Sequence, residues 1–254
     1  MLVRMTALLC LFVAQLAWPA GLPDLIEKMR PGVVGVGTAY PPRQPNVRGD
    51  RVVYLGTGFV VGDGHQIVTN AHVIAVELDV NNNQTLAIFS GHGDQATAHV
   101  AQVLRRDDEH DLVLLEIQGS VLPVLQLGNS AAVREGQEIA FTGFPIGMAL
   151  GLYPVTHRGI VSAIVPAAQP SADSSELNNL KITRMRSGFD AFQLDATAYP
   201  GNSGSPVFEL ATGSVVGVVN SVVVKETRET MLSSPSGITY AVPAKYIKAL
   251  LDRP

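Results

Sequence analysis

The stretch AYPGNSGSPVFELATGSVVGVVNS, from Ala198 to Ser221, holds two kinds of sequence side by side. Its later part contains two runs rich in Val and Phe, PVFEL and SVVGVV, divided by Thr212-Gly213. These read as two short strands joined by a turn. Its earlier part, Pro200 to Pro206, is small and polar. Gly, Asn and Ser favour turns because they tolerate positive φ or bond their own backbone. On that reading PGNSGSP is only a connection. A second reading makes Ser203, boxed between Gly201 and Gly204, a nucleophile on a turn whose amides face a substrate. The surrounding chain has to decide between them.

Working outward, short strand candidates recur along the chain. GVVGVGTAY, RVVYLGTGFVV, HQIVTNAHVI, QTLAIFS, TAHVAQVLRR and DLVLLEI form a first set. QEIAFTGFP, THRGIVSAIVP, AFQLDA, GSPVFEL, GSVVGVVNSVVV and GITYAVP form a second. Gly, Asn and Asp punctuate both, and such spacing predicts an all-β barrel or sandwich. No helix-length periodic run separates the strands, which excludes an alternating α/β sheet. Helices are expected only at the two ends. LPDLIEKMRPG reads as a short helix capped by Asp24, with Glu27 three residues on and Pro31-Gly32 as its stop. At the other end Pro243 takes a first-turn position, and Ile247, Leu250 and Leu251 form one face. Three polar stretches read as exposed loops: PPRQPNVRGD, AAQPSADSSELNNL and VKETRETMLSSPSG.

Composition narrows the function classes. The chain has 254 residues, 46% of them hydrophobic and 16% charged, enough apolar sequence for a sizeable core. Its net charge of −4 and the lack of any Lys/Arg block exclude a nucleic-acid footprint. The histidines, at 65, 72, 92, 99, 110 and 157, show no metal-ligand spacing, so neither a metal nor another cofactor is expected. The first 20 residues have one charge, Arg4, then an apolar run ending in small residues. That is the plan of a secretory signal peptide, residues 1–20. It implies a periplasmic or secreted protein with no stable membrane association. The alternative is an uncleaved anchor facing outside the cytoplasm, since the uncharged run Met5 to Pro23 is close to a spanning length. Cys10, the only cysteine, lies in this segment, so the mature chain would rely on core burial without disulfides.

A serine nucleophile needs a base and a group that orients the base. His72 follows the strand-like IVTN, and Asp111 opens the apolar run DLVLLEI. Each alone has a plainer reading: a strand-end histidine, a solvated acid, a turn serine. Together they follow the chain order His, Asp, Ser, which differs from the orders of subtilisin and of the α/β-hydrolases. Asp107, Asp108 and Glu109 read as caps or solvated acids. His65, His92 and His110 read as surface residues, with His110 turned away from Asp111 if the chain is extended there.

Six segments in this order carry a resemblance: GTGFVV with IVTNAHVI, DLVLLEI, GFPIG with THRGIVSAI, LDATAYPGNSGSPVF, GSVVGVVNS and GITYAVPAKYIKALL. Over about residues 22–252 the chain resembles the protease domain of the HtrA family of chymotrypsin-like serine proteases. The resemblance implies two six-stranded β-barrels, about 32–117 and 121–242, followed by a C-terminal helix at 243–252. It implies a serine endopeptidase acting through an acyl-enzyme, with His72 as general base, Asp111 as orienting acid and Ser203 as nucleophile. The amides of Gly201 and Ser203 would form the oxyanion hole. Thr197, six residues before Ser203, would floor the primary substrate pocket, with Asn220 in its wall. Threonine brings no charge to pair with Arg or Lys, so a small or medium aliphatic residue is expected there. Substrates would be unfolded protein segments, and a homotrimer built through residues 22–32 is a family-style assembly.

The sequence departs from that pattern in places. No C-terminal PDZ domain is expected, because the chain ends soon after its last helix. Ser205 stands where the family has a second glycine, and Tyr199 where asparagine is common. These departures leave an alternative reading, a binding or chaperone-like module on the same fold.

Overall fold

A computed structural model describes residues 21–41, 51–145, 151–167, 189–220 and 238–253. The signal segment 1–20, most of the loop 41–50 and the two polar loops after Ala167 and Val224 lie outside the described residues, Ala167 itself excepted.

Twelve strands form two closed antiparallel barrels of six. The first consists of β1 (Val33–Ala39), β2 (Val52–Val61), β3 (Gln66–Asn70), β4 (Thr85–Ser90), β5 (Thr97–Asp107) and β6 (Leu112–Ile117), in the order β1-β2-β3-β6-β5-β4. The second consists of β7 (Glu138–Gly143), β8 (Val155–Pro166), β9 (Asp190–Asp195), β10 (Pro206–Glu209), β11 (Val215–Asn220) and β12 (Ile238–Pro243), in the order β10-β11-β12-β9-β8-β7. This is the all-β architecture that the strand spacing predicts, in its two-barrel form. Register shifts at Val36/Gly37, Val103/Arg105, Val161/Ala163 and Val207/Phe208 bend the strands as closure requires.

The apolar runs are continuous because several strands bury both faces. In β6 Val113, Leu115 and Ile117 fill the first barrel. Leu112 and Leu114, on the alternate positions, join a cluster between the barrels. In β10 Val207 lies with the second barrel's interior, while Phe208 joins the cluster between. That central cluster also takes Leu25 and Met29 from α1 (Leu22–Met29), and Ala244, Ile247 and Leu250 from α2 (Ala244–Leu251). Phe59, Phe208, Leu112, Leu114 and Ile247 are all fully buried. A seam of this kind holds two barrels in fixed register, which a site shared between them needs.

Two local expectations are corrected. Asp24 does not sit at the N-cap of α1. Gly21 does, and Asp24, one turn in, accepts a hydrogen bond from the Gly21 amide at 3.2 Å. The carboxylate still satisfies a free N–H at the helix start, from inside the helix rather than ahead of it. His110 is not a surface residue: it is 9% exposed. The reason is the backbone. Asp111 has φ of +55°, so the chain turns there instead of running extended. The His110 ring stacks on Tyr246 of α2 with centroids 3.8 Å apart, and Phe189 meets it edge-on at 4.8 Å.

Candidate active site

The site begins with the chain's left-handed turn at Asp111, just before β6. Non-glycine residues seldom adopt this conformation, and here the surroundings fix it. The Asp111 carbonyl accepts from the Ala71 amide at 3.0 Å and from Asn70 Nδ2 at 3.1 Å. Its side chain then points at the short 3-10 turn Ala71–Ile74 that follows β3. Oδ1 accepts from the His72 amide at 3.0 Å, and Oδ2 lies 2.6 Å from His72 Nδ1. An ionised carboxylate can only accept, so Nδ1 carries the proton. The neutral ring then keeps its lone pair on Nε2. The Asp111 side chain is 5% exposed and that of His72 29%, so the acid is enclosed and the imidazole reaches the cleft.

Asn220, at the end of β11, donates from Nδ2 to Asp111 Oδ2 at 3.0 Å and is itself buried. Sequence reasoning assigned it to the pocket wall. Its side chain reaches the carboxylate across the seam between the barrels. A small cavity of about 40 Å³ beside the acid, lined by His110, Asp111, Phe189, Asn220 and Tyr240 among others, has room for a water molecule.

The turn containing Ser203 belongs to the second barrel but is anchored on the first. The Thr57 amide donates to the Ser203 carbonyl at 2.8 Å, and Thr57 Oγ1 donates to the Gly201 carbonyl at 2.7 Å. The same hydroxyl accepts from the Phe144 amide at 3.0 Å. Gly204 donates to Val219 at 2.9 Å, and Asn202 donates to the Tyr199 carbonyl at 2.9 Å. Gly201 has φ of +100° and Gly204 of +87°, which explains the glycines flanking the serine. A Cβ on Gly204 would also come within 1.9 Å of the Thr57 carbonyl. Gly56 shows how close the two halves come. A Cβ there would meet Val73, next to His72, at 2.9 Å and the Ser203 carbonyl at 3.0 Å. Ser203 is thus held beside the turn that carries His72, and is 6% exposed.

Ser205, the departure from the family pattern, has a counterpart in the fold. A Cβ on Gly143 would lie 2.0 Å from Ser205 Oγ, so the hydroxymethyl group occupies space that Gly143 leaves open. Thr197 and Ala198 are half-buried on the path from β9 to the turn.

Residues 56–218 match the family model described as a trypsin-like peptidase domain. The chain belongs to that family. Among its curated relatives, serine protease HTRA1A of Danio rerio is 30% identical over 231 residues, covering 91% of this chain and 40% of that protein. Serine protease HTRA3 of Mus musculus is 27% identical over 231 residues, 91% of this chain and 44% of that protein. The chain therefore spans about two-fifths of the length of these relatives. Among solved structures, HtrA-type protease AlgW with a decapeptide superposes with a TM-score of 0.64 at 22% identity, covering 91% of this chain and 67% of that one. Deg5 superposes with a TM-score of 0.59 at 24% identity, covering 89% and 90%. These two likenesses show that the trypsin-like fold is shared.

The trypsin-like peptidase fold contains groups that sequence reasoning did not single out. Thr57 stands in GTGFVV, one of the segments that carry the resemblance, but nothing in that segment marks its hydroxyl as a partner of the distant Ser203 turn. Asp107 does show a signal, its closeness to His110. Its Oδ2 takes His110 Nδ1 at 3.0 Å and Arg253 at 2.7 Å, and it is 5% exposed. Burial works against its ionisation. The His110 side-chain and amide hydrogen bonds, with the charges of His110 and Arg253, outweigh that and hold its carboxyl below the ordinary range.

Proposed function

We propose that the chain is a serine endopeptidase in which Ser203 is the nucleophile, His72 the general base and Asp111 the group that orients it. The observation that carries this reading is the 2.6 Å contact between His72 Nδ1 and Asp111 Oδ2, which leaves Nε2 as the basic nitrogen beside the Ser203 turn. Ser203 Oγ attacks the scissile carbonyl carbon and its proton passes to His72 Nε2. Asp111 stabilises the imidazolium, which then protonates the leaving amine. Water repeats the sequence to release the acyl group. The amides of Gly201 and Ser203 stabilise the tetrahedral oxyanion, such donors being worth roughly 3–4 kcal/mol each.

Thr197 floors a primary pocket for a small aliphatic side chain. The substrates are unfolded segments of proteins; the solved structure of HtrA-type protease AlgW is described as being with a decapeptide. The chain acts in the periplasm or outside the cell after passage on its N-terminal signal, and assembles as a homotrimer. No helix among the described residues is long and apolar enough to cross a membrane.

The test compares wild type, Ser203→Ala, His72→Ala and the double variant on unfolded casein. Each single change removes hydrolysis, and the double change costs no more than either alone, because the triad acts as a unit. Casein cleavage by Ser203→Ala at the wild-type rate refutes the assignment. A folded wild type that binds casein without cutting it, and resists a fluorophosphonate at Ser203, makes the chain a binding module.

A further inference from the structure

A further histidine that the triad does not use is His157 in β8, a half-buried residue whose Nε2 is enclosed. Its ring faces the interior of the second barrel and stacks on Phe141 with centroids 4.9 Å apart and planes at 24°. Phe141 is fully buried and gives the ring a fixed support. On its other side the ring meets Tyr199 at 5.9 Å. Nε2 is buried and has no hydrogen-bond partner among the described residues. A buried imidazole nitrogen without a partner is costly in either protonation state, and far more so when the ring is charged.

Tyr199 matters because it begins the limb that ends at Ser203. Its carbonyl accepts the Asn202 amide, and the Thr57 hydroxyl holds Gly201 two residues on. The Ser203 turn is therefore fastened at Thr57, at Val219 and at Tyr199. Of these, Tyr199 leans on a group that can change charge.

Among the described residues, the groups around the ring are few. From β7 it faces Phe141, and Tyr199 brings a phenol. On β8 and β7, Arg158 and Glu138 pair with each other on the exposed face. On β9, Asp195 is exposed at the strand end. Burial is the cause that lowers the ring's affinity for a proton below the ordinary histidine range.

We propose that His157 is a positioning residue: as a neutral ring it props Tyr199 and so the Tyr199–Gly201 limb of the Ser203 turn, and a proton on it withdraws the prop. A charged ring finds no acceptor at Nε2 among the described residues and leaves the apolar wall of Phe141. Tyr199 then loses its contact, and the turn loses the register that aims its amides. Hydrolysis therefore needs two neutral imidazoles, His72 as base and His157 as prop. This rests on the proteolytic reading above, but its structural half does not.

The test is the pH dependence of kcat/KM for a short chromogenic peptide between pH 4 and 8, with circular dichroism at each pH to keep within the folded range. In wild type the acid limb of log kcat/KM against pH steepens to a slope of 2, and the loss falls on kcat more than on KM. In His157→Phe, which keeps a flat ring that cannot titrate, the limb has a slope of 1. Slopes are compared within each protein, so the absolute rate is not the readout. A slope of 1 in wild type, or of 2 in His157→Phe, overturns the proposal. If His157→Phe does not fold, or the wild type does not hydrolyse the peptide, the readout is NMR of the Ser203→Ala protein. There the Tyr199 ring signals move with the titration of the His157 Cε1–H, below the ordinary histidine range. Tyr199 signals that stay still while His157 titrates overturn it.

Discussion

Gly204→Ala separates two penalties that a glycine in a turn can hide. The first is conformational: φ of +87° is disfavoured for any residue with a Cβ, at about 1–2 kcal/mol. The second is steric. The new Cβ would lie 1.9 Å from the Thr57 carbonyl oxygen and 2.4 Å from Thr69 Oγ1, and the nearer atom is strand backbone that cannot swing aside. Forcing an extra carbon into such a site costs a further 1–3 kcal/mol or so. Gly136 supplies the control. Its φ is +82°, and a Cβ there meets nothing within 4 Å, so Gly136→Ala suffers only the first penalty. Urea unfolding should then show Gly136→Ala destabilised by about 1–2 kcal/mol and Gly204→Ala by about 2–5 kcal/mol, with similar m values. The extra loss in Gly204→Ala comes from prising Thr57 off the Ser203 turn, so its kcat/KM falls while that of Gly136→Ala keeps close to wild type. Two variants with stabilities within 0.5 kcal/mol of each other, on the order of measurement error, would show that the turn yields freely and refute the reasoning.

Three further outcomes are expected. Asn220→Ala removes a hydrogen bond to the Asp111 carboxylate; such bonds are worth about 1.5–3 kcal/mol, so kcat/KM falls about 10- to 100-fold, and a change under 2-fold contradicts that role. The carboxyl of Asp107 titrates below its ordinary value in the folded chain, so its stabilisation is complete above the carboxylate range and is lost as pH falls through the folded value. Asp107→Asn should flatten the acid side of the stability profile, measured by urea unfolding from about pH 6 down; parallel wild-type and variant profiles would count against it. Peptide libraries should show cleavage after Val, Ala or Ile, whereas predominant cleavage after Arg or Lys means that an acid reaches the primary pocket proposed at Thr197.

The barrels were readable because both faces of strands such as β6 and β10 are buried, which turns them into unbroken apolar runs between glycines. The pairing of His72 with Asp111 was readable because each sits at a strand end beside such a run. What escaped the sequence depends on contacts without a period. His110 was misjudged because one left-handed residue, Asp111, breaks the alternation on which the face assignment relied. Thr57 gives no sign that its hydroxyl will bridge to Gly201 and Phe144, for its neighbours read only as strand. The space that accepts Ser205 is set by Gly143, on a different strand, so sequence could register the substitution but not its accommodation. The bond from Asn220 to the Asp111 carboxylate joins residues 109 positions apart, so nothing local in the sequence announces it.

The split of the site between barrels bears on how the chain is made. At about 5–20 residues per second, roughly 5–20 seconds of synthesis separate Asp111 from Ser203. During that time the leading half can close around its own core with His72 and Asp111 already bonded, yet it lacks both the attacking hydroxyl and Asn220. Even when Ser203 has emerged and Thr57 can hold its turn, the Val219 anchor is missing until β11 and the closing strand β12 bring the trailing half together. On the proposed mechanism, a half-made copy on the ribosome is thus chemically silent. On that mechanism it cannot nick itself or the neighbouring nascent chains, and the proposed cutting power arrives only as the last strand takes its place.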